Sequence, residues 1–275
     1  MFTPALAALA AAMPSVTVLG MSFRPGIIDY AILALLLYSY TAGPIALYRM
    51  SNASFNAKMR LVGEAEEIEP NVRAFIEKVE QALQSAGFGA PQRIAISAES
   101  PLPGLESLLE HPANGDLANV VAMVNKRATG MLPLATAVTF RSAFADGTLL
   151  NTSNMTHAGF WPDPPTHDNV VLPDVGDPIE LYRLHRLRVQ HKSAAVAQKP
   201  LTRGLTPEQR LIYAIRQQLD TTNFMIACGH RKRSPDGVRL TVRGATLTAW
   251  RRLFPWRQLG ERRRRRAAAE VMRLA

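Results

Sequence analysis

The chain has 275 residues, of which 47% are apolar, enough for one or two folded domains and too apolar for a disordered chain. Its one cysteine, Cys228, excludes an intrachain disulfide and any zinc site built on several cysteines. The formal charge of +10 is lopsided: residues 231–275 hold 14 Lys and Arg against three acids, a net +11, which leaves residues 1–230 at −1. A field so localised draws a polyanion to one place.

The first twenty residues, MFTPALAALAAAMPSVTVLG, are uncharged and Ala-rich. Ala10 to Ala12 offers an A-x-A cleavage pattern, but no Lys or Arg precedes it as a signal peptide requires. A first membrane helix and a loosely ordered leader are the alternatives, and residues 1–29 are read as an apolar, membrane-associated leader. Tyr30 to Tyr48 then runs for nineteen residues without a charge. As a helix it would be about 28 Å long, close to the hydrocarbon thickness, with tyrosines at both ends. Residues 30–48 are therefore expected to be a transmembrane helix, with the lipid bilayer as partner. Arg49, Lys58 and Arg60 follow closely, so the positive-inside bias places the body, residues 50–243, in the cytoplasm.

Within the body, Val72, Phe75, Ile76, Val79 and Leu83 recur at three and four, one stripe of a helix that ends near Gly87. Arg93–Ser97 and Leu117–Val124 read as strands, with Asn114-Gly115 as a turn. Ala137–Ala145 and Thr148–Ser153 are β-rich runs joined through Asp146-Gly147, a hairpin signal that makes antiparallel sheet the basis of the body. The next stretch, residues 154–174, carries several prolines and reads as loop. Asp177 with Pro178 and Glu180, and Thr206 with Pro207 and Gln209, announce two helices by cap, first-turn proline and capping-box spacing. Leu211, Ile212, Ile215 and Leu219 give the second its apolar face, and TTNFMIACG reads as a further strand. The whole is an α+β domain.

The tail, residues 244–275, combines rings and charge. Leu247, Trp250, Leu253 and Phe254 share one helical face, Trp256 follows Pro255, and Arg262, Arg263, Arg264, Arg265 and Arg266 form an unbroken block. Such a helix suits a bilayer interface with arginines against anionic lipid headgroups, which would explain both chain ends by one cause. Packing of the apolar face onto the chain's own domain, and unselective nucleic-acid binding by the arginines, are the alternatives.

No phosphate-binding glycine loop, nucleophile elbow or zinc-protease motif appears. No cofactor or metal is implied. His157, Asp163, His167 and Asp168 in the proline-rich loop are the candidate catalytic residues, since imidazole and carboxylate together can move protons, but their spacing matches no short motif. His185, on the first of the two capped helices, reads as an ordinary surface residue. The sequence thus points to a membrane-anchored cytoplasmic scaffold or regulatory protein with an undefined protein partner. A hydrolase-like enzyme using the His/Asp loop, and a membrane-associated nucleic-acid binder, are the other readings.

Overall fold

Alternating and helically spaced apolar residues account for most elements of the computed structural model, which describes residues 16–18, 21–23, 27–50, 59–62, 69–96, 104–124, 133–155, 163–201, 204–235, 237–253 and 255–274. A short antiparallel pair, β1 (Val16–Val18) and β2 (Met21–Phe23), precedes helix α1 (Ile27–Met50). There follow β3 (Met59–Leu61), α2 (Pro70–Ser85), β4 (Gln92–Ile96), β5 (Gly104–Glu110), β6 (Leu117–Val124), β7 (Pro133–Phe144), β8 (Leu149–Ser153) and β9 (His167–Val171). Helix α3 (Pro178–Ser193), β10 (Gln198–Lys199) and α4 (Pro207–Ala227) come next. The hairpin β11 (Arg231–Ser234) and β12 (Gly237–Leu240) leads to α5 (Val242–Arg251) and α6 (Trp256–Arg273).

Strands β3 to β9 lie side by side in sequence order in one sheet, with β10 added along β7. Neighbours from β3 to β8 are antiparallel, as the Asp146-Gly147 turn implied; Gly147 takes φ +82° there. The sheet is nevertheless mixed, because β9 runs parallel to β8, pairing Leu149 with His167 through Ser153 with Val171. That strand lies inside the stretch expected to be loop. A parallel return needs a connection of about a dozen residues, and the proline-rich segment supplies it.

Because side chains alternate across a strand, the sheet has two unlike faces. One carries Leu105, Leu109, Ala118, Val120, Ala122, Val138 and Phe140 against Val72, Ile76 and Leu83 of α2 and Leu181 and Leu184 of α3. The expected α2 stripe is thus the one that is buried, and the helix closes at Gly87 with φ +94°. Val271 of α6 joins this core. The other face is met by α4, whose start is pinned by Gln92 Nε2 donating to the Pro207 carbonyl at 2.5 Å. A smaller cluster of Ile94, Leu108, Leu117 and Ala214 lies there.

Two helix starts follow their sequence signals. Asp177 accepts from the Ile179 amide, and Thr206 and Gln209 form a reciprocal capping box. Glu180 instead pairs with Arg183 at 2.8 Å. TTNFMIACG is not a strand: α4 continues through it to Ala227, and the chain turns only at Gly229, with φ +71°. The buried side of α4 also differs from the expected stripe, since Ile212 and Leu219 are exposed while Ala214 and Met225 are buried.

The apolar N-terminal stretch does form a helix, but among the described residues no helix is long and apolar enough to cross a membrane. The unbroken aliphatic run is Ala31 to Leu37, about 10 Å of helix against about 30 Å of hydrocarbon. Beyond it come Tyr38, Ser39, Tyr40 and Thr41, and the Ser39 and Thr41 hydroxyls donate back to the Leu35 and Leu37 carbonyls at 2.8 and 2.7 Å. This half of α1 then packs on α5, with Gly43 close to Ala249. The transmembrane reading, the lipid bilayer as partner, the membrane-anchored scaffold and the cytoplasmic orientation built on Arg49, Lys58 and Arg60 are corrected accordingly: among the described residues there is no span for these charges to orient.

The same packing relocates the tail. Trp250 donates its indole N–H to the Tyr40 carbonyl at 3.0 Å, and the two rings lie 5.9 Å apart. Ala245 and Ala249 are buried beside them, so α5 turns its small-residue face to the protein. Trp250→Ala should lower stability by about 1–2 kcal/mol through loss of this bond and ring contact. Chemical denaturation will show it; an unchanged midpoint would mean that the ring contributes nothing to the fold.

Candidate ligand-binding cleft

The second face of the sheet is polar where a core would be apolar. Alternate positions bring Glu106 of β5, Asn119 of β6, Thr139 and Arg141 of β7, Asn151 and Ser153 of β8, and His167 and Asn169 of β9 to one side. The register sets them in rows: Asn119 opposes Thr139, which opposes Ser153, while Arg141 opposes Asn151, which opposes Asn169. Helix α4 stands over these rows without filling them. A cleft of about 750 Å3 remains, and Tyr213, Gln217 and Thr221 of α4 line it. Such a volume is that of a small-molecule site. Tyr213, Gln217, Thr221 and Met225 follow one another at four, so the side of α4 that faces the sheet is half polar, unlike the aliphatic stripe read from its sequence.

Several polar atoms here are buried and unpaired. Asn119 Nδ2 donates to Glu106 Oε1 at 2.8 Å and Asn151 Nδ2 to Asn169 Oδ1 at 2.6 Å, which leaves Asn119 Oδ1 and Asn151 Oδ1 without partners. Arg141 Nε and the Tyr213 hydroxyl are likewise buried and unpartnered. Four buried atoms on this cleft thus lack a protein partner, which a water or a bound molecule would supply. The electrostatics agree. Burial pushes the Glu106 carboxyl above its ordinary value, against the pull of the Arg141 charge and the Asn119 amide. Burial also holds the His167 imidazole below its ordinary value; Arg141 adds to this, while Asp163 and Asp220 oppose it. Burial raises the Tyr213 phenol as well. The cleft thus sets a carboxyl shifted up, an imidazole shifted down and a phenol shifted up around a guanidinium that makes no ion pair with a carboxylate among the described residues. Glu106 and His167 both line the cleft, and no hydrogen bond joins them among the described residues.

A second polar cluster lies on the opposite face and does different work. Asp116 accepts from Ser142 Oγ, from Gln198 Nε2 at 2.6 Å, from Arg186 Nη1 at 2.8 Å and from the Tyr182 hydroxyl at 3.1 Å. His185 bridges the Ser142 and Thr152 hydroxyls at 2.9 and 3.0 Å. Serine, histidine and aspartate are thus in contact, but in the wrong order for nucleophilic catalysis, since the aspartate holds the serine and not the imidazole. Asp116, Ser142, Thr152 and His185 have no solvent exposure at all, so no substrate reaches them. They are the polar pegs of the α3–sheet contact.

Burial, more than the opposing Asp116 charge can offset, lowers the pKa of His185 from 6.5 to about 3. The unfolded chain binds this proton below pH 6.5 and the folded chain does not. Stability from His185 is therefore complete above that pH and is lost as pH falls towards 3, by up to about 1.4 kcal/mol per pH unit. Urea unfolding of the native chain and of His185→Gln across pH 4–7 will measure it; parallel curves would remove His185 as the cause.

The predicted catalytic set is divided. His167 and Asp163 both line the cleft. Asp168, one residue from His167 along β9, points to the other face and pairs with Arg188 at 2.8 Å. His157 lies outside the described residues, as does Phe254 of the tail. No three of His, Cys, Asp and Glu converge as metal ligands among the described residues. Of the other tail residues, Leu247 and Leu253 are half-buried and Trp256 is exposed. The arginine block is helical, and only Arg263 and Arg264 of the five reach the cleft, while Arg262, Arg265 and Arg266 stay exposed elsewhere on α6. Glu106, Asn119, Arg141 and Asn151 escaped the sequence reading. The signal was a polar residue at every second position of apolar strands, as in AVTFRSAF. No known family, curated protein or solved structure matches the chain.

Proposed function

We propose that the chain is a binding module for a small amphiphilic organic acid, taken into the cleft between the sheet and α4. The observation that carries this reading is Arg141, which lines the cleft and whose buried Nε lacks a partner. A carboxylate supplies the two acceptor oxygens that a guanidinium fork takes. The Tyr213 hydroxyl offers a further donor beside it. Part of the wall is apolar: Met59, Ile96, Leu108, Val121 and Met123 line the side of the cleft nearer β3. An unbranched alkyl chain fits that side because methionine and aliphatic walls adapt to a flexible guest.

Titration of the full chain with dodecanoate and with dodecanol separates charge recognition from simple greasiness. Dodecanoate should bind saturably and about tenfold or more tighter than the alcohol, as expected for a charge-assisted hydrogen bond. Equal affinities would remove Arg141 from the account.

A further inference from the structure

Arginines from outside the sheet reach this cleft. Arg263 and Arg264 of α6 line it where α6 packs on β9, the strand of His167 and Asn169, and Arg231 of β11 lines it as well. Helix α6 packs on β9, and Ala267, one turn beyond Arg263, lines the cleft too, so a defined side of α6 closes this end. With Arg141 four guanidiniums line the cleft; the carboxyls of Asp163 and Glu106 line it too, and the Asp220 charge also reaches His167. The methionine and aliphatic wall lies towards the opposite edge, since the sheet runs in order from β3 to β9. Strands are about 4.8 Å apart, so β5 and β9 are separated by roughly 19 Å. The α6 guanidiniums therefore stand at the β9 side of the cleft and the aliphatic wall towards the other.

Resting on the binding reading above, we infer that the ligand's head is a phosphate monoester rather than a carboxylate, and that Arg263 and Arg264 are its specificity-determining residues. A carboxylate is a monoanion with two acceptor oxygens, which the single fork of Arg141 already meets. A phosphate monoester carries close to two charges near neutral pH and three acceptor oxygens, and so uses guanidiniums from more than one direction. The arginine block then divides by role: two of its members read the head group, and Arg262, Arg265 and Arg266 do not take part.

Calorimetric titration of the full chain with dodecyl phosphate, dodecanoate and inorganic phosphate tests this. Dodecyl phosphate should bind most tightly, and inorganic phosphate weakly for want of a chain. The Arg263→Gln/Arg264→Gln variant should lose about tenfold or more for dodecyl phosphate and much less for dodecanoate. The Arg262→Gln/Arg265→Gln/Arg266→Gln variant removes more charge and should bind as the native chain does. If the two variants lose affinity equally, the arginines act only through bulk charge and the inference falls. If dodecanoate matches dodecyl phosphate and neither loses affinity in Arg263→Gln/Arg264→Gln, the head is a carboxylate; the cleft reading then stands without this inference. Failure of both amphiphiles to bind the native chain would overturn the two together. Inorganic phosphate binding as tightly as dodecyl phosphate would assign the site to free phosphate, and the amphiphile would be excluded.

Discussion

Replacing Asp116 by alanine should lower the unfolding free energy by about 3–5 kcal/mol, the cost of breaking a buried charge pair by removing one partner. Its carboxylate has no solvent exposure and gathers Ser142, Tyr182, Arg186 and Gln198 from β7, α3 and β10. Without it the Arg186 guanidinium, about a quarter exposed, loses its one ion-pair partner, and the Ser142–His185–Thr152 chain loses its anchor. Asp168→Ala makes the comparison, because that carboxylate is half exposed where it meets Arg188. Arg188 is buried but keeps its bonds to the Asn151 and Asp168 carbonyls and the Thr152 hydroxyl, so a smaller cost of about 1–2 kcal/mol is expected. Urea unfolding of both variants, with constant m-values as the test of an unchanged unfolded state, gives the two numbers. Equal costs would show that the Asp116 cluster is not the fixed point of the α3–sheet contact.

Arg141→Leu should separate binding from stability. Loss of the guanidinium fork is expected to weaken dodecanoate binding about 10- to 100-fold. Stability should hold or rise slightly, because the variant removes a buried, unpartnered donor and replaces it by an aliphatic side chain. The opposite pattern, intact binding with a large loss of stability, would make Arg141 a structural residue of the sheet.

The helices and the central hairpin were legible because their signals are local. The α2 stripe, the Thr206 capping box and the Asp146-Gly147 turn are each read within a few residues. The misread parts turn on contacts distant in sequence. An apolar run at Tyr30 to Tyr48 matches a membrane span in charge and length, and only the contacts of Tyr40 and Gly43 with α5 show what half of it packs on. His185 is exposed in appearance and buried in fact. It shares the stripe of Leu181, Leu184, Arg188 and Val189, and its place on that stripe is the clue that helical spacing offers. The cleft was less legible still. Which face of β7 carries Arg141 follows from alternation, but that α4 stands off the same face, leaving room above it, depends on the packing of the whole sheet.

Heteronuclear NMR of the full chain during titration with dodecanoate tests the central claim most directly, because it reports where the ligand goes. Side-chain amides of Asn119, Asn151 and Asn169 lie on the cleft wall, whereas Asn223 pairs with Arg233 away from it, and the Trp250 and Trp256 indoles report on the tail. The three wall amides should shift together and saturate at one equivalent, with Asn223 and both indoles unmoved. Shifts confined to the indoles, with Asn119 and Asn151 unchanged, would contradict it.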